Sequence, residues 1–190
     1  MVDLIAEAAR LDAFLQSRGW RYCFIGGLAV QHWGEPRLTR DLDLSLLTGF
    51  GSEASYIDAL LSVYPPRIEA ARDFALTRRV LLVRSAGGIG IDVSLAALPY
   101  EELIVSRAIS VEMLPGLSVR LCLPEDLIVM KMFAGRDTDY RDVRSIVVRQ
   151  DARGLDWRYI EARLAELAEV KDDPTLLARL REIRNSAEAP

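Results

Sequence analysis

The segment DLDLSL at residues 41–46 alternates strictly between polar and leucine side chains. A period of two fits a β-strand and no helix. Leu42, Leu44 and Leu46 define one face; Asp41, Asp43 and Ser45 define the other. The Cα atoms of Asp41 and Asp43 then lie roughly 6.6 Å apart on the same side of the strand. Two like charges placed so closely repel each other and resist burial. Such a strand needs either a wet face or a cation beside it.

The same pattern recurs once. In GIGIDVSLAAL, Ile91, Val93 and Leu95 form an apolar face, and Asp92 stands on the other face with Ser94. Paired beside residues 41–47, this strand would complete a three-carboxylate cluster. Upstream, Tyr22 to Ile25 reads as a short buried strand. Gly26-Gly27 follows it, and Leu28 to Trp33 reads as a short helix starting after Gly27. A bare backbone at a helix N-terminus can approach a phosphate. Taken alone, the three aspartates are also compatible with the wet side of an antiparallel sheet.

Elsewhere the periodicity predicts a helix over residues 3–18, ending before Gly19, and another from Glu53 to Tyr64. Two hairpins are expected. The first pairs residues 75–85 with 89–95 about Ala86-Gly87-Gly88, and the second pairs 105–114 with 117–123 about Pro115-Gly116. From Pro124 onward the pattern is helical: 124–134 with a break at Gly135, then 140–149, 157–170 and 175–185, with fraying expected over 186–190. This order predicts an α+β fold. A mixed β-sheet flanked by helices spans residues 1–123, and a helical C-terminal part, residues 124–190, packs on it.

With 190 residues and 51% hydrophobic side chains, the chain can bury a core without covalent staples. The net charge of −4 excludes a strongly basic nucleic-acid binder as a whole molecule, while leaving room for a local basic patch. Cys23 and Cys122 each sit in an apolar run and read as buried, reduced thiols. No leader-like segment and no uncharged run of membrane-spanning length is visible, so a cytoplasmic setting is expected. The single histidine, His32, excludes a multi-histidine metal site. An oxygen-ligated Mg²⁺ or Mn²⁺ is the remaining expectation. His32 and Trp33 read as a packed aromatic pair.

Gly26-Gly27, thirteen residues, Asp41-Leu42-Asp43 and a later Ile91-Asp92-Val93 strand together resemble the polymerase-β-like nucleotidyltransferase superfamily. GGLAVQHWGEPRLTRDLDL and LPEDLIVMKMFAGRDTDYRDV are similar to the branch that holds AbiEii-type toxin nucleotidyltransferases. The resemblance implies a nucleotidyltransferase catalytic core in residues 1–123. It implies that NMP is moved from an NTP, ATP among them, to an acceptor hydroxyl, with release of pyrophosphate. Asp41, Asp43 and Asp92 would be catalytic and would hold two divalent metal ions. Gly26 and Gly27 would cradle the triphosphate, with Arg37 and Thr39 close to it and Lys131 reaching its phosphates. Arg136, Asp139 and Asp142 are expected to form a structural ion-pair network. The implied partners are the NTP, an acceptor left open among an RNA end, a protein and a small molecule, and an antitoxin; no membrane is implied. A competing reading keeps the nucleotide site but makes the chain a regulatory or interaction module with little or no turnover.

Overall fold

The computed structural model describes residues 2–150 and 154–188. Among these, nine helices accompany one six-stranded mixed sheet. The chain divides into two compact units: residues 1–28 with 38–122, and residues 29–37 with 123–190.

The first unit carries all six strands: β1 (Tyr22–Ile25), β2 (Asp41–Leu47), β3 (Val80–Arg84), β4 (Gly90–Ala96), β5 (Ile109–Leu114) and β6 (Leu117–Leu121). Their order is β3-β4-β2-β1-β6-β5. β2 runs antiparallel to β1 and parallel to β4, so the two aspartate-bearing strands are immediate neighbours. Leu42, Leu44, Leu46, Ile91 and Val93 are fully buried, as the alternation predicts. The opposite face of β2 is graded: Asp41 is exposed, Asp43 half-buried and Ser45 buried. Only its N-terminal end is wet. Helix α1 (Val2–Ser17) buries Leu4, Ile5, Ala8, Leu11 and Leu15 and packs on β2 and β6. Cys23 and Cys122 are free, buried thiols.

Two expected strands are shorter than the apolar runs that suggested them. Residues 71–78 form helix α4 (Ala71–Arg78), and Arg79, at φ 56°, ends it in a left-handed turn before β3 begins. Arg79 is held there by hydrogen bonds to the carbonyls of Gly49 and Leu95 and by an ion pair with Glu53. The second run is likewise divided by helix α5 (Pro99–Arg107). Glu101 Oε2 accepts the backbone N–H groups of Ala97 and Leu98 at 2.8 and 2.9 Å, which fixes the start of α5. Helix α3 (Glu53–Leu61) stops one turn earlier than expected.

Helix α2 (Gly26–Trp33) starts two residues sooner than expected, so both glycines lie in its first turn. The division between the units falls inside it. The second unit continues with α6 (Pro124–Ala134), α7 (Asp137–Gln150), α8 (Trp157–Lys171) and α9 (Leu176–Glu188). Pro124 occupies the first turn of α6, and Gly135, at φ 72°, ends it. Within this unit α6 packs on α7 and α8, and α7 and α8 pack on α9. His32 and Trp33 stack edge to face, 4.3 Å between centroids. Helix α9 runs to Glu188 through part of the stretch expected to fray; residues 189–190 lie outside the described residues.

Candidate active site

The β2–β4 register sets Asp43 directly opposite Asp92, and Asp41 opposite Gly90. Parallel neighbours lie about 4.8 Å apart. Asp41, Asp43 and Asp92 therefore share one face at the wet end of the sheet. On the other side of β2, Asp43 pairs with Ile25, the last residue of β1. The chain then turns straight into α2, and the backbone N–H of Gly27 donates to Asp43 Oδ2 at 3.3 Å. That hydrogen bond ties the acidic strand to a helix N-terminus, where carboxylates are favoured.

Both glycines are required by what lies against them. Gly26 has φ +60°, and a Cβ there would stand 1.9 Å from Asp43 Oδ2 and 2.7 Å from Asp43 Cβ. A Cβ at Gly27 would meet Thr39 Oγ1 at 2.4 Å. Thr39 Oγ1 in turn donates to the carbonyl of Asp41 at 3.3 Å. Gly26, Gly27, Thr39, Asp41, Asp43 and Asp92 are thus brought together in the first unit.

Two participants escaped the sequence reading. Arg67 bridges the aspartates: its Nη2 donates to Asp92 Oδ1, and its Nη1 stands 3.7 Å from Asp41 Oδ1. Nothing in the local sequence after Pro65-Pro66 marks it. Gly90 leaves the room: a Cβ there would lie 2.1 Å from Asp41 Oδ1 and 2.6 Å from Arg67 Nη1. Its signal was a glycine inside a β-branched strand, two residues before Asp92. Burial pushes the Asp92 carboxyl above the ordinary aspartate range; Arg67 pulls it back, and the neighbouring charge of Asp41 adds to the rise.

Among the described residues, no three carboxylate, imidazole or thiolate groups stand close enough together to enclose a metal ion in this side-chain arrangement. The donor set nevertheless fits a hard divalent cation. It is all carboxylate oxygen, it shares one sheet face, and a cationic guanidinium already bridges two of its members.

Arg37 and Lys131 belong to the second unit, where both converge on Asp142. Arg37 makes a bidentate pair with Asp142 at 2.7 and 2.9 Å. Lys131, a buried residue of α6, reaches Asp142 Oδ2 at 2.7 Å and Asp139 Oδ1 at 3.0 Å. Arg136 also pairs with Asp139, at 2.6 Å. Burial alone would raise both carboxyls, but the hydrogen bonds from Arg136 and Lys131 hold Asp139 below its ordinary value. Those from Arg37 and Lys131 do the same for Asp142.

A mixed sheet with an Asp-x-Asp strand, a parallel Asp-bearing neighbour and a Gly-Gly helix start defines a nucleotidyltransferase-like domain. Residues 2–182 match the family described as "Nucleotidyltransferase of unknown function (DUF6036)", and the chain belongs to that family. The fold is similar to the crystal structure of an antigenic nucleotidyltransferase-like protein from Paracoccidioides brasiliensis. That likeness has a TM-score of 0.57 and 18% identity, and covers 94% of this chain and 92% of the other. It is also similar to the solution structure of the antibiotic-resistance factor ANT(2'')-Ia, with a TM-score of 0.54 and 16% identity over 89% and 92% of the two chains. No match was found among curated proteins. Among the described residues, no helix is long and apolar enough to cross a membrane.

Proposed function

We propose that this nucleotidyltransferase-family chain moves a nucleoside monophosphate from an NTP to an acceptor hydroxyl, using Asp41, Asp43 and Asp92. The observation that carries the reading is the register that sets Asp43 beside Asp92, with Asp41 on the same face and Gly26-Gly27 at the strand end. Asp41, Asp43 and Asp92 would hold Mg²⁺ or Mn²⁺, which when bound supplies positive charge to the transferring phosphoryl group. The first-turn amides of α2 would bind triphosphate oxygens. Asp92, with its carboxyl above the ordinary range, is suited to accept the acceptor hydroxyl's proton. The acceptor oxygen forms a bond to the α-phosphorus, the bond from that phosphorus to its β-bridging oxygen breaks, and pyrophosphate leaves. Thr39 holds the strand entry. We assign Lys131 to holding α6 to α7 through Asp139 and Asp142, and Arg37 to tying the segment after α2 to Asp142 of α7.

The test is Mg²⁺–NTP binding by calorimetry, each of the four nucleotides in turn, with wild type and Asp41→Asn/Asp43→Asn. Binding that needs both metal and the two aspartates supports the reading; binding indifferent to both overturns it. A second reading, a nucleotide-binding module without turnover, is favoured by the Arg67 bridge if that bridge does not open. The AbiEii-type motif resemblance suggests the toxin of a toxin–antitoxin pair; growth arrest on expression, abolished by the double Asn variant, is the check.

A further inference from the structure

We propose that Arg67 is a built-in counter-ion that exchanges partners. Without metal its guanidinium bridges Asp41 and Asp92; with Mg²⁺–NTP bound it leaves them and contacts the triphosphate. The inference rests on the nucleotidyltransferase reading above. Three observations carry it. First, the fork spans two of the three carboxylates, with the side chain only 28% exposed. Second, the base of the arginine is fixed by the backbone. Arg67 N–H donates to the Leu82 carbonyl at 3.0 Å, Arg84 N–H donates to the Pro65 carbonyl at 2.9 Å, and Pro66 forms a bridge with Val83. Pro65 and Pro66 restrict the backbone further. Third, a buried strand glycine, Gly90, provides the space that the fork and Asp41 share. The fold therefore commits an anchored segment and a missing side chain to seating a cation here.

That seat cannot serve two cations. A divalent ion held by Asp41 and Asp92 repels a guanidinium within a few ångströms. Its arrival must free the head of Arg67, whose pinned backbone keeps it beside the site. The anion that arrives with the metal is the triphosphate, and a guanidinium fork matches phosphate oxygens as well as it matches carboxylates.

The exchange makes opposite predictions for two ligands, which a merely structural arginine would not. Mn²⁺ binding is measured by electron paramagnetic resonance without nucleotide, and Mg²⁺–NTP binding by calorimetry. The proteins are wild type, Arg67→Gln, Arg67→Lys and Asp41→Asn/Asp43→Asn. In Arg67→Gln, Mn²⁺ should bind about tenfold tighter, since one nearby positive charge is gone, while Mg²⁺–NTP binds more weakly. Arg67→Lys keeps the charge but not the fork, and should fall between on both scales. Unchanged or weaker Mn²⁺ binding in Arg67→Gln overturns the proposal, as does unchanged nucleotide binding. Mn²⁺ binding that survives Asp41→Asn/Asp43→Asn overturns the metal site itself. Mn²⁺ binding to none of the proteins does so too, and the exchange falls with it.

Discussion

Replacing Lys131 by Met removes a cation shared by Asp139 and Asp142. Lys131 Nζ stands 3.0 Å from Asp139 and 2.7 Å from Asp142, and its side chain is 8% exposed. Breaking a buried ion pair from one side costs about 3–5 kcal/mol. Each carboxylate here keeps an arginine, Arg136 for Asp139 and Arg37 for Asp142, so the lower end, about 3 kcal/mol, is expected. In a chain of this size that lowers Tm by about 6–12 °C. The pH dependence has a definite sign. Both carboxyls are held below their ordinary value in the folded protein. Their contribution is complete above the unfolded value and is lost as pH falls through the folded values. The gap between wild type and Lys131→Met should thus be full at pH 7 and narrow as pH falls below about 4. Calorimetric melts at both pH values measure it. A loss under about 1 kcal/mol at pH 7, or a gap that widens on acidification, would refute the assignment of Lys131 as an internal counter-ion.

Gly26→Ala should cost about 1–2 kcal/mol for the left-handed backbone alone, with more from the collision with Asp43, read by urea denaturation. Gly90→Ala meets first the far ends of the Asp41 and Arg67 side chains, so stability should hold within about 1 kcal/mol while Mn²⁺ binding falls sharply. In metal-free protein, Asp92→Asn should melt at or above wild type at pH 7. Asp92 sits above its ordinary value, so wild type loses that contribution as pH rises through the folded value; the difference should vanish below the unfolded value. Tyr159→Phe should cost about 1–3 kcal/mol, because Tyr159 Oη donates at 2.5 Å to the fully buried Asp126 carboxylate.

The carboxylate strands were legible because a period of two admits no other element, and because aspartate in an apolar strand conflicts with burial. The helical stretch after Pro124 was legible from its spacing and its Pro and Gly punctuation. The splitting of two apolar runs was not. Residues 71–78 bury just the small Ala71 and Ala75 and so show no strong apolar face, and the left-handed Arg79 that ends their helix depends on Glu53, Gly49 and Leu95, distant in sequence. Arg67 was invisible for the same reason. Its meaning comes from the β3–β4 pairing that brings residues 65–67 beside Asp92. Lys131 was legible as an inward-facing cation, but its partners came from the next helix.

The central claim is that Asp41, Asp43 and Asp92 support nucleotidyl transfer, and label transfer tests it most directly. The protein is incubated with Mg²⁺ and each α-labelled NTP against separate pools of RNA, protein and small molecules. Asp41→Asn/Asp43→Asn and Asp92→Asn are run alongside. Label in one pool, with pyrophosphate released and both variants silent, is the predicted result and identifies the acceptor class. Label that persists in the variants, or no label in any pool, would contradict the claim.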